Sequence, residues 1–403
     1  MAIFTIDEKV RCLLEDFNKF VDYLKSNQVT IGKTTKYISL KFLYEMNELM
    51  SIKQEDITPR SMQLAYPLLH MFCNLAVSGK LFLEEAATGG KLMLKPTDRV
   101  DKFNELNSTE KYIFLLEILW MDCNFENLEY QTYDDINVYA VEKSVMYISQ
   151  SKANVVIYPN RHLVYNSTIL LYFSYFGIMD IEEDEVKKLE DKRKRKFIPK
   201  KIIISKMGLE IIKILNKKRD ILEWNIPYRR ENGEWEIGFN EEFHMPFKKV
   251  FKSGELENTL PRSKYEFKEG IYTFKVSLGK NIWSKIRLSA DYTLYDLHNC
   301  IQEAFDFDDD HLYSFFMDGK KWSKNRFTSP YDEQGPYGDE AKIGTLELYE
   351  KQNFLYLFDY GDEWSFDVEV FNIEDTNMRL LNPEIIESKG KAPEQYPDFD
   401  DEW

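Results

Sequence analysis

Residues 354–370 read FLYLFDYGDEWSFDVEV. The run Phe354–Phe358 is short, apolar and aromatic, which suits a buried strand. Gly361-Asp362 supplies a turn. On the return, Trp364, Phe366, Val368 and Val370 alternate with polar residues, the period of a half-buried strand. Their shared parity predicts that Trp364 and Phe366 face a core. Upstream, Tyr272, Phe274, Val276 and Leu278 alternate with Thr273, Lys275 and Ser277, and Ile282, Ser284, Ile286 and Leu288 do the same. Thr293 can cap a helix that carries Leu294, Leu297, Ile301, Ala304 and Phe305, with Asp296 approximating a capping box. Tyr313–Met317 reads as a strand, turned back at Asp318-Gly319 towards Trp322. The order β-β-α-β-β, then β-β, predicts an α+β domain with a mainly antiparallel sheet over 271–403.

The rest of the chain reads differently. In Ile6–Leu24, apolar residues at Ile6, Val10, Leu13, Leu14, Phe17, Phe20, Val21 and Leu24 form one helical stripe. Thr58-Pro59 is a helix-start signal, and Pro67 opens a helix that Gly79 ends. Leu81–Leu83 and Lys91–Leu94 are short strands around the turn Thr88-Gly89-Gly90. Thr109–Trp120 returns to helix. Helix, helix, hairpin is the order of a winged-helix unit, so 1–150 is expected to be mainly helical and winged-helix-like. A weaker echo over 151–265 has a helix at Ser167–Met179, a charged loop at Glu182–Lys201 and a strand running into a helix at Ile202–Leu215. Asn232-Gly233 predicts a hairpin between Tyr228 and Trp235. Lys252–Gly270 reads as a charged link.

Charge separates the two parts. From residue 271 onward there are 13 Lys+Arg and 28 Asp+Glu, a net of −15, out of −16 for the 403-residue chain. So acidic a surface repels phosphate backbones and suits a protein partner better. Cys12, Cys73, Cys123 and Cys300 lie far apart with no CxxC pair, which fits a reducing cytosol. The early charges of MAIFTIDEKVRCLLED do not suit a signal peptide. The most apolar run, Ile169–Met179, is too short to span a bilayer. A cytoplasmic protein without a membrane partner is expected.

Six motifs follow one another in the last third: YTFKVSLGKNIW, YTLYDLHNCIQEAF, DDDHLYSFFMDGKKW, GDEAKIGTLEL, FLYLFDYGDEWSFDVEV and GKAPEQYP. Their order and spacing resemble the plasmid ORF-three-like family, also labelled "passenger TnpR" in mobile elements. The matching positions are Trp283, Leu297, His298, His311, Leu312, Phe315, Asp339, Glu340, Tyr360, Gly361, Asp362 and Trp364, then Pro393, Gln395 and Tyr396. Many members have Trp where this chain has Phe307, and His where it has Phe366. Longer members continue into a cysteine-containing tail, whereas this sequence ends in YPDFDDEW. The resemblance implies a mobile-element association and no agreed activity.

Two candidate sites follow. His298 and His311, with Asp359 and Asp362, could form a metal or acid–base cluster. The plainer alternative packs His298 at a helix edge and uses Asp362 to shape the turn after Gly361. No HExxH-like spacing favours a metal, so neither metal nor cofactor is expected. The run Asp308–Asp310 lacks the alternation of an EF-hand loop. The second candidate is the basic stretch Lys187–Lys201, with Lys192, Arg193, Lys194, Arg195 and Lys196 at its centre. It could contact DNA phosphates as a wing tip, or balance Glu182, Glu183, Asp184 and Glu185. A serine recombinase needs several arginines around its nucleophile, and the last module has only Arg287, Arg326 and Arg379. No P-loop, GxSxG, GxGxxG or kinase signature appears. The leading expectation is a non-enzymatic protein-interaction or regulatory protein. A DNA-binding regulator and a metal-dependent enzyme centred on His298 and His311 are the alternatives.

Overall fold

The structure, a computed structural model, describes residues 3–32, 35–87, 91–131, 134, 136–191, 196–232, 234, 237–262 and 267–396. The chain divides into two units, Met1–Arg229 with Ile237–Arg262, and Arg230–Glu236 with Ser263–Trp403.

In the first unit, the Asp7 carboxylate accepts the Val10 amide at 3.0 Å and caps α1 (Glu8–Ser26). The expected stripe from Val10 to Leu24 is the face that α1 buries. Then come β1 (Thr30–Gly32), α2 (Leu40–Leu49), α3 (Pro67–Ser78), β2 (Phe82–Ala86) and β3 (Lys91–Pro96). Their sheet runs antiparallel in the order β1-β3-β2. After α4 (Arg99–Glu105) and α5 (Ser108–Glu117), the same order recurs: α6 (Val138–Ser149), β4 (Val156–Ile157), α7 (Arg161–Tyr165), α8 (Ser167–Tyr175) and β5 (Met179–Glu183). A short helix, α9 (Glu185–Glu190), precedes β6 (Pro199–Ile204), and this sheet runs β4-β6-β5. The unit continues through α10 (Lys206–Lys218) and α11 (Ile221–Trp224) into α12 (Ile226–Glu231), whose last two residues group with the second unit.

The repeat extends to single hydrogen bonds. Thr97, just after β3, sends its amide to the Leu81 carbonyl (2.9 Å) and its hydroxyl to the Lys80 carbonyl (2.7 Å). Ser205, just after β6, sends its amide to the Ile178 carbonyl (3.0 Å) and its hydroxyl to the Gly177 carbonyl (3.1 Å). A Cβ on Gly208 would sit 1.9 Å from the Ile178 carbonyl oxygen, so only glycine lets α10 start here.

Several local expectations change. Thr58-Pro59 forms a turn closed by the Ser61 amide on the Thr58 carbonyl, and after a short 3-10 helix at Gln63–Ala65 the α-helix starts at Pro67. The turn Thr88-Gly89-Gly90 lies outside the described residues. No hairpin strand forms at Tyr228: the Asn225 side chain accepts its amide at 3.0 Å and Pro227 sits in the first turn, so α12 forms instead. Gly233 and Trp235 lie outside the described residues. The charged stretch from Lys252 is not all link. Glu110 accepts the Asn258 amide at 2.7 Å, and Arg262 pairs with Glu117 and Asp122, so residues 257–262 are strapped along α5. Burial lifts the Glu117 carboxyl to about 7, against the pull of Arg262.

The second unit is one seven-stranded sheet with a helix, α13 (Leu294–Phe305), on one face. Its strands are β7 (Ile271–Ser277), β8 (Trp283–Ser289), β9 (Tyr313–Phe316), β10 (Arg326–Thr328), β11 (Asn353–Phe358), β12 (Trp364–Glu374) and β13 (Glu384–Lys389). The order is β10-β9-β11-β12-β7-β8-β13, antiparallel throughout. The α+β class and the antiparallel sheet are as the periodicities predict. Phe358 stands opposite Trp364 across the hairpin quoted above. Phe366, Val368 and Val370 are fully buried, while Trp364 packs half-buried at the core's edge. The return strand after Asp318-Gly319 starts only at Arg326, and β13 had no counterpart in the sequence reading.

Candidate functional site

Several matching motif residues, His298, Trp364, Gln395 and Tyr396, meet at one loop, 306–311. Thr293 and Asp296 form a full capping box and fix the start of α13. That start sets the helix phase, which turns Leu297, Ile301 and Phe305 into the core and carries His298 with them.

His298 has no exposed surface. Its Nδ1 lies 2.7 Å from the Tyr356 hydroxyl and its Nε2 lies 2.9 Å from Asp309 Oδ1. Gln302 Nε2 donates to the same tyrosine hydroxyl at 2.7 Å. That hydroxyl therefore donates to Nδ1, which leaves the ring proton on Nε2, facing Asp309. Tyr295 and Tyr313 stack on the ring with centroids at 5.7 and 4.0 Å. Loss of hydration pushes the imidazole down to about 4. Asp309 pulls the other way, but it remains 42% exposed and water weakens its hold. A neutral ring, satisfied at both nitrogens, is the outcome.

The neighbouring acids are engaged too. Gln395 accepts the Asp308 amide at 2.6 Å and donates to the Asp308 carbonyl at 3.1 Å. The Tyr396 hydroxyl donates to Asp310 at 2.7 Å. Asp359 Oδ1 accepts the Gly361 amide at 2.8 Å and shapes the turn that Asp362 shares. His311 is half exposed, 3.5 Å from Asp359 and 3.9 Å from Asp310. His298 and His311 therefore belong to one neighbourhood but hold different partners. Among the described residues, no group of three or more His, Cys, Asp or Glu side chains could hold a metal ion.

Phe307 and Phe366, where many members of the resembled family have Trp and His, pack edge to face with ring centroids at 6.0 Å. Trp364 packs edge-on against Phe307 at 5.0 Å. Trp283 stands apart, on β8, with the amines of Lys275 and Lys285 at 5.1 and 5.5 Å from its ring. Tyr356, Gln302 and Tyr313, which complete the histidine's surroundings, went unnoticed in the sequence. The parity of Tyr356 within FLYLF and the i, i+4 spacing of Gln302 from His298 were the available signals.

In the first unit, Lys192, Arg193, Lys194 and Arg195 lie outside the described residues. Lys196 is exposed, and its amine donates to the carbonyls of Leu64 (2.6 Å) and Tyr130 (3.2 Å); partial desolvation lowers its pKa. Lys187, Lys188, Lys200 and Lys201 pair with Asp184, Glu183 and Glu182. The third helix of each repeat is enclosed: no residue of α3 or α8 is exposed, and the two helices pack against each other. Neither contains a lysine or an arginine. Among the described residues, no helix is long and apolar enough to cross a membrane.

No curated protein matches the chain. A solved structure, a protein of unknown function from Methanosarcina mazei Go1, aligns at 25% identity over 31% of this chain and 72% of its own, with a TM-score of 0.27. The C-terminal domain matches, over residues 270–397, the family model described as plasmid pRiA4b ORF-3-like protein.

Proposed function

We propose that this chain is a non-enzymatic interaction protein of a plasmid or mobile element, working in the cytoplasm. In this reading, two winged-helix modules form a fused scaffold, and the acidic C-terminal domain engages a protein partner. The repeated order helix–strand–helix–helix–strand–strand, with the first strand paired to the third, is that of a winged helix. In a DNA reader of the helix-turn-helix class, the recognition helix enters the major groove. The observation that carries our reading is that both equivalent helices, α3 and α8, are enclosed and lack cations. Groove reading needs exposed base-contacting side chains and basic residues on phosphates. The saturated partners of His298 support the same reading against an enzyme.

Affinity purification from the native host, with protein and nucleic acid both identified, tests it. A stoichiometric protein partner without enriched DNA is expected. Enriched DNA with steeply salt-dependent binding, lost on changing Lys192–Lys196 to alanine, would replace it with the DNA-regulator reading.

A further inference from the structure

The two repeats of the first unit differ at one sheet edge. In the first repeat, β1 does not end the sheet. The chain turns back and residues 37–39 pair along its outer side: the Gly32 amide reaches the Tyr37 carbonyl and the Ser39 amide the Thr30 carbonyl, both at 2.9 Å. Ile38 bridges Ile31, and both are buried. In the second repeat the equivalent strand, β4, pairs only with β6. From Ile157 the chain runs through Tyr158 and Pro159 into α7 without turning back. Among the described residues, nothing pairs with the other side of β4. Val155, Val156 and Tyr158 are 48%, 41% and 70% exposed. A bare apolar edge is one that folded proteins ordinarily cover or charge.

We propose that the β4 edge, residues 155–158, is a docking site for an extended segment of a partner protein, apolar at alternate positions and flanked by acidic residues. It rests on the interaction reading above. The first repeat supplies the form of the occupant, since a short segment with a buried isoleucine bridges along its edge. Strand addition draws affinity from main-chain hydrogen bonds and specificity from alternate side chains. Charge supplies the flanks. Lys152 precedes the strand and Arg161 follows it; both are exposed and neither has a carboxylate partner among the described residues. The same cations disfavour a second copy. Antiparallel self-pairing that sets Val156 opposite Ile157 sets Lys152 opposite Arg161, cation against cation.

The test uses the full chain and two labelled peptides, EETVTVTEE and KKTVTVTKK, read by fluorescence anisotropy and by amide exchange. The acidic peptide is expected to bind at least tenfold more tightly than the basic one and to slow exchange at 155–158. Lys152→Glu/Arg161→Glu is expected to reverse that preference, a result that misfolding cannot imitate. Equal binding of both peptides, an unreversed preference, or no protection at 155–158 overturns the proposal. So does protection of these amides by dimerisation without peptide. If the peptides fail while the host purification still yields a protein partner without DNA, only the edge is wrong. If that purification yields DNA, the broader reading falls whatever the peptides do.

Discussion

His298 is held by three side chains from outside its own helix: Tyr356 and Asp309 at its nitrogens, and Tyr313 on its face. Burial makes its charged form costly, so its pKa falls from the ordinary 6.5 to about 4. The unfolded chain then takes up a proton that the folded chain refuses, and stability declines as pH drops from about 6.5 to about 4. The full effect is about 3 kcal/mol. Calorimetry of the full chain between pH 7 and 4 should show the second unit's transition moving down, and His298→Gln should remove most of that slope. An unchanged slope in the variant would assign the titration elsewhere. Phe366 gives a second residue-scale expectation. It is fully buried against Phe305 and Phe307, so Phe366→Ala should cost about 3–5 kcal/mol. Trp364→Ala should cost less, because Trp364 is only half-buried; urea unfolding of both variants decides. The sequence offered His298 as a candidate, and its parity put Trp364 and Phe366 on one face. It could not show how far each was buried, which depends on neighbours as near in sequence as Asp309 and as distant as Tyr356.

At the scale of elements, the strap on α5 is the clearest case of a charged segment doing structural work. Glu110, Glu117 and Asp122 hold residues 257–262 from α5 and the π-helical segment, Ile118–Asp122, that continues it. Composition alone made that stretch look like a link, because a docked strap and a solvated one have the same residues. The Glu117 carboxyl, lifted to about 7, keeps its proton in the folded chain at pH values where the unfolded chain has lost it. Its contribution to stability therefore weakens as pH rises from about 4.5 through 7. Glu117→Gln should flatten that part of the first unit's stability curve and leave the fold intact, as measured by thermal unfolding at pH 5.5 and 8. A steeper curve would refute this account of the strap. Other elements were legible to different degrees. The apolar stripe of α1 and the proline and glycine around α3 fixed those helices. Thr58-Pro59 carried the right start signal with no apolar face behind it to propagate a helix. β13 is an exposed edge strand with mostly polar outward residues, so no period-2 burial pattern announced it.

Across the whole molecule, two different architectures share one chain. The first unit buries its core between repeated helical modules, and the second builds a single antiparallel sheet under α13. In the sequence, the net charge and the hydrophobic period are the features that differ between them. The internal repeat was only partly visible, because the two copies share hydrogen-bonding positions such as Thr97 and Ser205 but few residue identities. Independence of the second unit is the last expectation. Every register of the seven-stranded sheet lies within 271–389, and its core residues lie within the same domain. The strapped segment ends at Arg262, whose guanidinium pairs with Glu117 and Asp122 of the first unit. A protease should therefore cut between Arg262 and the first strand before it cuts within either unit. A fragment of residues 267–403 should give the circular dichroism of an antiparallel sheet with one helix and should unfold in a single cooperative step. Losing residues 1–266, among them the short segment Arg230–Glu236 that groups with this unit, should leave its midpoint within a few degrees of the second unit's transition in the full chain. A fragment that is unfolded, or that melts without cooperativity, would mean that this domain needs the first unit to complete its core.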